Sequence, residues 1–225
     1  MDTADKQQRV RAVISILQQR YGRPVWAPRL PALDELIACI LSQHTSDRNS
    51  LQAFAQLRQR FPTWSAVRDA PVEAIEDAIR TGGLAAQKAP RIQQILRAIS
   101  DTVEGEPHLR FLEPLSDDEA AAWLMRLPGV GPKTAAIVLA FAMGRPVVPV
   151  DTHIFRVGWR LGLYPKSVGE AKAHDWMRPL VAPEDAYAYH VLVIRHGREV
   201  CTARSPRCTL CPLASLCPSY DVYTS

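Results

Sequence analysis

The sequence predicts an all-α fold, and three observations carry that expectation. Apolar residues recur at helical spacing in almost every segment, no stretch alternates with a period of two, and glycines, prolines and capping residues punctuate the periodic runs. Over residues 7–21, Val10, Val13, Ile14, Leu17 and Tyr21 share one face, and Gly22 with Pro24 stops the helix. Residues 33–43 repeat the pattern through Leu36, Ile37, Ile40 and Leu41, with Cys39 reading as core in the run LIACIL. Residues 46–61 continue it with Leu51, Phe54, Leu57 and Phe61. Thr63 and Pro71 open two short helices, the second closed by Gly82-Gly83. A longer helix is predicted over 88–103, then a loop over 105–114. Ser116-Asp117-Asp118-Glu119 reads as a capping box, in which a hydroxyl and a carboxylate three residues on satisfy two orphan amides. Helices over 152–161, 168–181 and 185–200 complete the chain, with no internal repeat or low-complexity segment.

Composition narrows the class without naming it. The 225 residues are 47% apolar and 22% charged, as in ordinary globular proteins, and no stretch is long enough to span a bilayer. A net charge of +4, from 27 basic and 23 acidic residues, is too small to announce nucleic acid by itself. No apolar leader precedes MDTADKQQRV, so the chain is expected in the cytoplasm, where thiols stay reduced.

That expectation bears on Cys201, Cys208, Cys211 and Cys217, spaced CxxxxxxCxxCxxxxxC. Four thiolates so close in sequence can converge on one centre, and soft sulfur ligands suit an iron–sulfur cluster or zinc. Zinc sites usually show two short-spaced pairs, whereas only Cys208 and Cys211 form one here. The spacing favours a cluster and leaves zinc open.

A second motif is Leu127-Pro128-Gly129-Val130-Gly131-Pro132-Lys133-Thr134. Pro128 and the glycines stop the preceding helix, Pro132 suits the first position of the next, and Gly129 and Gly131 allow successive amides to face one side. Such a hairpin is a phosphate receptor; the plainer reading is an αα-hairpin turn. Lys133 then stands at a helix start, where the dipole disfavours positive charge and should lower its pKa. A neutral amine there could attack a sugar carbon and form a Schiff base, if a carboxylate manages the developing charge and the proton. Asp151, in Val150-Asp151-Thr152-His153, is the candidate carboxylate, although an aspartate at that place is also an ordinary N-cap.

LPGVGPKTAAIVLAFAMGRPVVPVDTHIFRV and YHVLVIRHGREVCTARSPRCTLCPLASLC together resemble the endonuclease III family of helix-hairpin-helix base-excision DNA glycosylases. The resemblance is weak over nearly the whole chain and specific in these two blocks. It implies a bilobal helix-hairpin-helix fold: a six-helix lobe over 28–145, and a discontinuous lobe of 1–27 plus 146–225 that holds a [4Fe–4S] cluster on the four cysteines. It implies Lys133 as nucleophile and Asp151 as catalytic carboxylate, from opposite sides of an interlobe cleft, and Gly129, Val130 and Gly131 as the turn on the DNA backbone.

The resemblance also implies the partner and the reaction: a monomer of the bacterial nucleoid acting on double-stranded DNA with damaged bases or abasic sites. Because Lys133 is present, glycosylase and AP lyase chemistry are expected together, with oxidised pyrimidines as substrates. A related glycosylase for a mismatched or deaminated base, and a non-catalytic DNA-binding or redox iron–sulfur protein, are the alternatives. Extruding a base costs a few kcal/mol, so backbone contacts must supply energy, and Arg204 and Arg207 are expected to give it, Arg195 and Arg198 less so. Two wedges are expected in the duplex. One lies in Leu41-Ser42-Gln43-His44-Thr45-Ser46-Asp47, where counting from Ser42 and Asp47 puts His44, rather than Gln43, at the family's gap-filling position. The other is Leu84, followed by Ala85 where the family commonly has an aromatic residue.

Overall fold

The computed structural model describes residues 1–224 and is helical throughout, with no strand among them. The chain forms two compact units, residues 28–143 and residues 1–27 with 144–225.

The unit over 28–143 contains α2 (Ala32–Ser42), α3 (Asp47–Arg60), α4 (Trp64–Asp69), α5 (Val72–Ile79), α6 (Ala85–Ser100), α7 (Asp117–Leu124) and α8 (Pro132–Ile137). Local chemistry sets many of the ends. Ser46 and Thr63 accept from amides three residues on, and Ser116 and Glu119 form the reciprocal box their spacing predicts. Packing does the rest: Leu36, Ile37, Ile40, Leu41, Leu57, Ile75, Ile92, Ile95 and Leu96 are fully buried. A π-helical turn, Val138–Ala142, continues α8. One boundary needs correction. α6 begins at Ala85 rather than Lys88, and it carries Pro90 in its interior. Burial of Lys88, Ala89 and Ile92 holds the earlier start.

The other unit is built on α1 (Thr3–Tyr21), α9 (Thr152–Arg160), α10 (Glu170–Met177), α11 (Ala186–Glu199) and a terminal turn, α12 (Tyr220–Thr224). Val10, Val13, Ile14 and Leu17 of α1 join Ile154 and Val157 of α9 and Leu192 and Val193 of α11 in one core. α1 starts earlier than its apolar pattern, at Thr3, because Asp2 and Asp5 cap it reciprocally. α10 is shorter than its predicted range of 168–181, with a 3-10 turn, Lys166–Val168, before it.

Candidate functional site

All four cysteines of the C-terminal segment line one cavity, with about 420 Å³ of atom-free space partly open to solvent. No three described His, Cys, Asp or Glu side chains gather tightly enough to hold a single metal ion. Zinc would require its sulfurs at about 2.3 Å from one point. A cubane presents separate iron corners to separate thiolates, and four thiols lining one cavity are the donor set it needs. Burial pushes Cys211 up to about 11 and also raises Cys208 and Cys217, so the iron must stabilise their thiolates.

Two arginines that the sequence did not single out organise this loop from α9. Arg160, 4% exposed, donates from Nη1 to Cys201 Sγ at 3.3 Å and to the Thr202 carbonyl at 2.8 Å, and from Nη2 to the Ala203 carbonyl at 3.0 Å. Desolvation opposes its charge, but hydrogen bonding and charge from Cys201 and Tyr223 together raise its pKa. Arg156 donates to the Cys201 and Gly197 carbonyls at 2.9 and 2.8 Å. Buried His196, pushed down to about 4 by desolvation, sets Nε2 3.6 Å from Cys211 Sγ. Positive charge and N–H donors around the sulfurs are what an anionic cluster requires of its surroundings. Arg204 and Arg207 are exposed on the same loop. Arg195, exposed on α11's surface, pairs with Glu199 at 2.8 Å and lies over the Tyr21 ring. Cys39 sits apart, buried beside Glu35, with its thiol held at about 12 mainly by burial.

Asp151, 8% exposed, is the N-cap of α9, and both of its amide bonds fall on one oxygen. Oδ1 accepts from His153 N at 2.9 Å and Ile154 N at 2.8 Å, leaving Oδ2 without a hydrogen bond among the described residues. Its backbone neighbours are held too: Val150 N donates to His174 Nε2 at 3.0 Å, and the Pro149 carbonyl lies 2.8 Å from His190 Nδ1.

In the unit over 28–143, the hairpin joins α7 to α8. Gly129 adopts φ +77°, and a Cβ there would meet the Arg91 side chain at 2.7 Å. Val130 is buried and its N–H donates to the Leu127 carbonyl at 3.1 Å, so the valine anchors the turn and offers no outward amide. Gly131 is ordinary extended backbone at φ −102°, so no backbone strain demands glycine, yet nothing lies within 4 Å of a Cβ added there. Its value is the open space beside its amide. Lys133 is exposed in the first turn of α8 and has no hydrogen-bond or ion-pair partner among the described residues.

The two wedge candidates share a property the sequence did not reveal. His44, at φ 55°, and Leu84, at φ 51°, are the only non-glycine residues with positive φ among the described ones. Each such residue costs roughly 1–2 kcal/mol, and strain of this kind concentrates at functional sites. His44 is exposed and Leu84 is 47% exposed. Gln43 is turned inward instead: its Nε2 donates to the Gly129 carbonyl at 2.9 Å, and its Oε1 accepts from Arg91 at 3.1 Å. Arg91, unnoticed in the sequence, thus ties the 42–45 turn to the hairpin. Ala85 is the first residue of α6, immediately after Leu84.

Comparison with known proteins agrees with these features. Residues 37–179 match the HhH-GPD superfamily of base excision DNA repair proteins, and residues 201–217 match the iron–sulfur binding domain of endonuclease III. Endonuclease III from Synechocystis sp. is 35% identical over 218 residues, covering 96% of this chain and 94% of that protein. An Arabidopsis thaliana protein provisionally called a DNA glycosylase is 38% identical over 166 residues; the match spans 74% of this chain and 56% of the plant protein's length. A solved endonuclease III–DNA covalent intermediate superposes with a TM-score of 0.79 at 28% identity, covering 97% of this chain and 99% of that one. The cofactor of this chain is a [4Fe–4S] cluster, and the matched segment spans the four cysteines. On these two family matches and this relative, the chain belongs to the endonuclease III family of the HhH-GPD superfamily of base excision DNA repair proteins.

Proposed function

We propose that this protein is a bifunctional DNA glycosylase and AP lyase that removes oxidised pyrimidines from double-stranded DNA. The observation that carries the reading is the free, exposed amine of Lys133, directly after the hairpin. An unpaired amine is available as a nucleophile; a lysine held in an ion pair would not be.

The chemistry follows from the residues. Lys133 Nζ attacks C1′ of the extruded nucleotide, and the N-glycosidic electron pair leaves with the base. Asp151, through Oδ2, stabilises the positive charge growing on the sugar and takes a proton from the attacking amine. Opening of the sugar ring gives an imine between Nζ and C1′. Loss of a C2′ proton then expels the 3′ phosphate by β-elimination, and water releases the lysine. The cluster supplies a rigid frame for its loop, on which Arg204 and Arg207 meet backbone phosphates. The amides of Gly129 and Gly131 meet phosphate beside Lys133. His44, rather than Gln43, fills the gap left by the extruded base, and Leu84 enters the stack beside it.

Borohydride trapping on a duplex containing thymine glycol tests the reading, because reduction converts the imine into a stable covalent adduct. The native protein should give the adduct and Lys133→Ala should not. No adduct with the native protein, or an undiminished one with the variant, would refute the assignment. A panel of single-lesion duplexes separates oxidised pyrimidines from mismatched or deaminated bases.

A further inference from the structure

One buried cation joins the two strained turns. Lys88, on the first turn of α6, is 1% exposed. Its Nζ donates to the Leu41 carbonyl at 2.7 Å and to the Gly82 carbonyl at 2.9 Å. Leu41 lies in the last turn of α2, where carbonyls have no helical amide to accept from, and His44 follows shortly after it. Gly82 ends a 3-10 turn whose next residues are Gly83 and Leu84, and it presses so closely on α3 that an added Cβ would meet the Ala53 Cβ at 3.0 Å.

A lysine that merely capped α2 would run its stem along the surface and keep its ammonium in water. Lys88 does the opposite. Its charge is fully buried with no carboxylate partner among the described residues, and desolvation, with a smaller contribution from Arg91, lowers its pKa. An arrangement this costly persists where the group it stabilises is needed in one geometry. The two carbonyls it binds belong to the only two segments, among the described residues, with positive-φ side-chain-bearing residues. One turn further along α6, Arg91 holds Gln43 against Gly129. A single helix face therefore indexes all three turns that the proposed function directs at DNA.

We propose that Lys88 is a positioning residue that holds the His44 and Leu84 turns at one fixed separation, so that both enter the duplex together around the extruded nucleotide. The proposal rests on the reading of those two residues as wedges. It predicts a defect confined to substrates that must be unstacked: chemistry at Lys133 on an already unpaired sugar needs no wedge.

Lys88→Met, which keeps length and apolar bulk but removes charge and donors, tests this in the full-length, cluster-loaded protein. The fluorescence of 2-aminopurine beside a thymine glycol reports extrusion, and strand cleavage is compared between the lesion duplex and a single-stranded abasic oligonucleotide. Both the 2-aminopurine signal and the ratio of duplex to single-strand cleavage should fall by about tenfold or more, since a displacement near 1 Å can cost far more than that. An unchanged ratio, whether both rates hold or fall together, would overturn the proposal. Should Lys88→Met fail to fold, Lys88→Arg keeps the charge but forces the two carbonyls apart, and the same ratio should fall. His44→Ala and Leu84→Ala separate the two layers of argument. If neither lowers duplex cleavage, the wedge reading fails and takes the clamp with it; if they lower it and Lys88→Met does not, the clamp alone fails.

Discussion

Replacing Asp151 by asparagine separates the capping duty that the structure shows from the catalytic duty we propose. Oδ1 caps α9 through the His153 and Ile154 amides, while Oδ2 accepts no hydrogen bond among the described residues. Asparagine caps a helix about as well as aspartate, so Asp151→Asn should change stability by no more than about 0.5 kcal/mol, or roughly 2 °C in Tm. Alanine removes the acceptor and strands the amide of buried Ile154; Asp151→Ala should cost about 2 kcal/mol, or roughly 4–8 °C. Chemistry should respond differently. On the proposed role both variants lose the catalytic carboxylate's charge, and a positioned proton-transfer group is worth about 10²–10⁴-fold, or roughly 3–5 kcal/mol of barrier. Single-turnover excision on a thymine glycol duplex, with Tm followed in parallel, checks both halves. DNA affinity should hold or rise, because a negative charge has been removed. If Asp151→Asn turned over at the native rate, the carboxylate would be a helix cap and nothing more.

Gly131→Ala should leave Tm within about 0.5 kcal/mol of native, because its backbone is ordinary and its Cβ meets nothing. It should weaken DNA binding about tenfold by obstructing one phosphate contact; unaltered affinity in a fluorescence anisotropy titration would remove the hairpin from the DNA contact. Gly158→Ala should do the reverse, since its Cβ would fall 2.5 Å from Tyr164 Cζ in the buried core. A loss of about 3 kcal/mol is expected by thermal denaturation, and a native-like Tm would show that Tyr164 moves freely. Arg160→Met should cost on the order of 3 kcal/mol by stranding the Thr202 and Ala203 carbonyls around Cys201. The cluster's absorbance near 400 nm should bleach faster in air than in the native protein, and equal bleaching would show that Arg160 does not protect the loop.

What could be read before any coordinates were the features whose cause is local. Helical periodicity announced an all-α chain because each amphipathic face is written in residues a few positions apart. Ser116 and Glu119 cap α7 reciprocally as their spacing requires. The cysteine loop was legible for the same reason, its ligands lying within 201–217. Asp151 was legible as to place but not as to role, because a cap and a catalyst occupy the same position in sequence; the coordinates show the capping oxygen and the unbonded one.

Tertiary structure alone decided the rest, since the deciding contacts join residues distant in the chain. Nothing in the sequence singled out Lys88, and only the approach of Leu41 and Gly82 makes it a buried clamp. Arg160 and Arg91 went equally unmarked, because their partners, the cysteine loop and Gln43, lie far along the chain. The positive φ angles of His44 and Leu84 contradict local preference, so no propensity could have forecast them. Backbone strain of that kind exists only because burial and hydrogen bonding elsewhere in the unit over-determine it, and those forces act between segments that sequence order keeps apart.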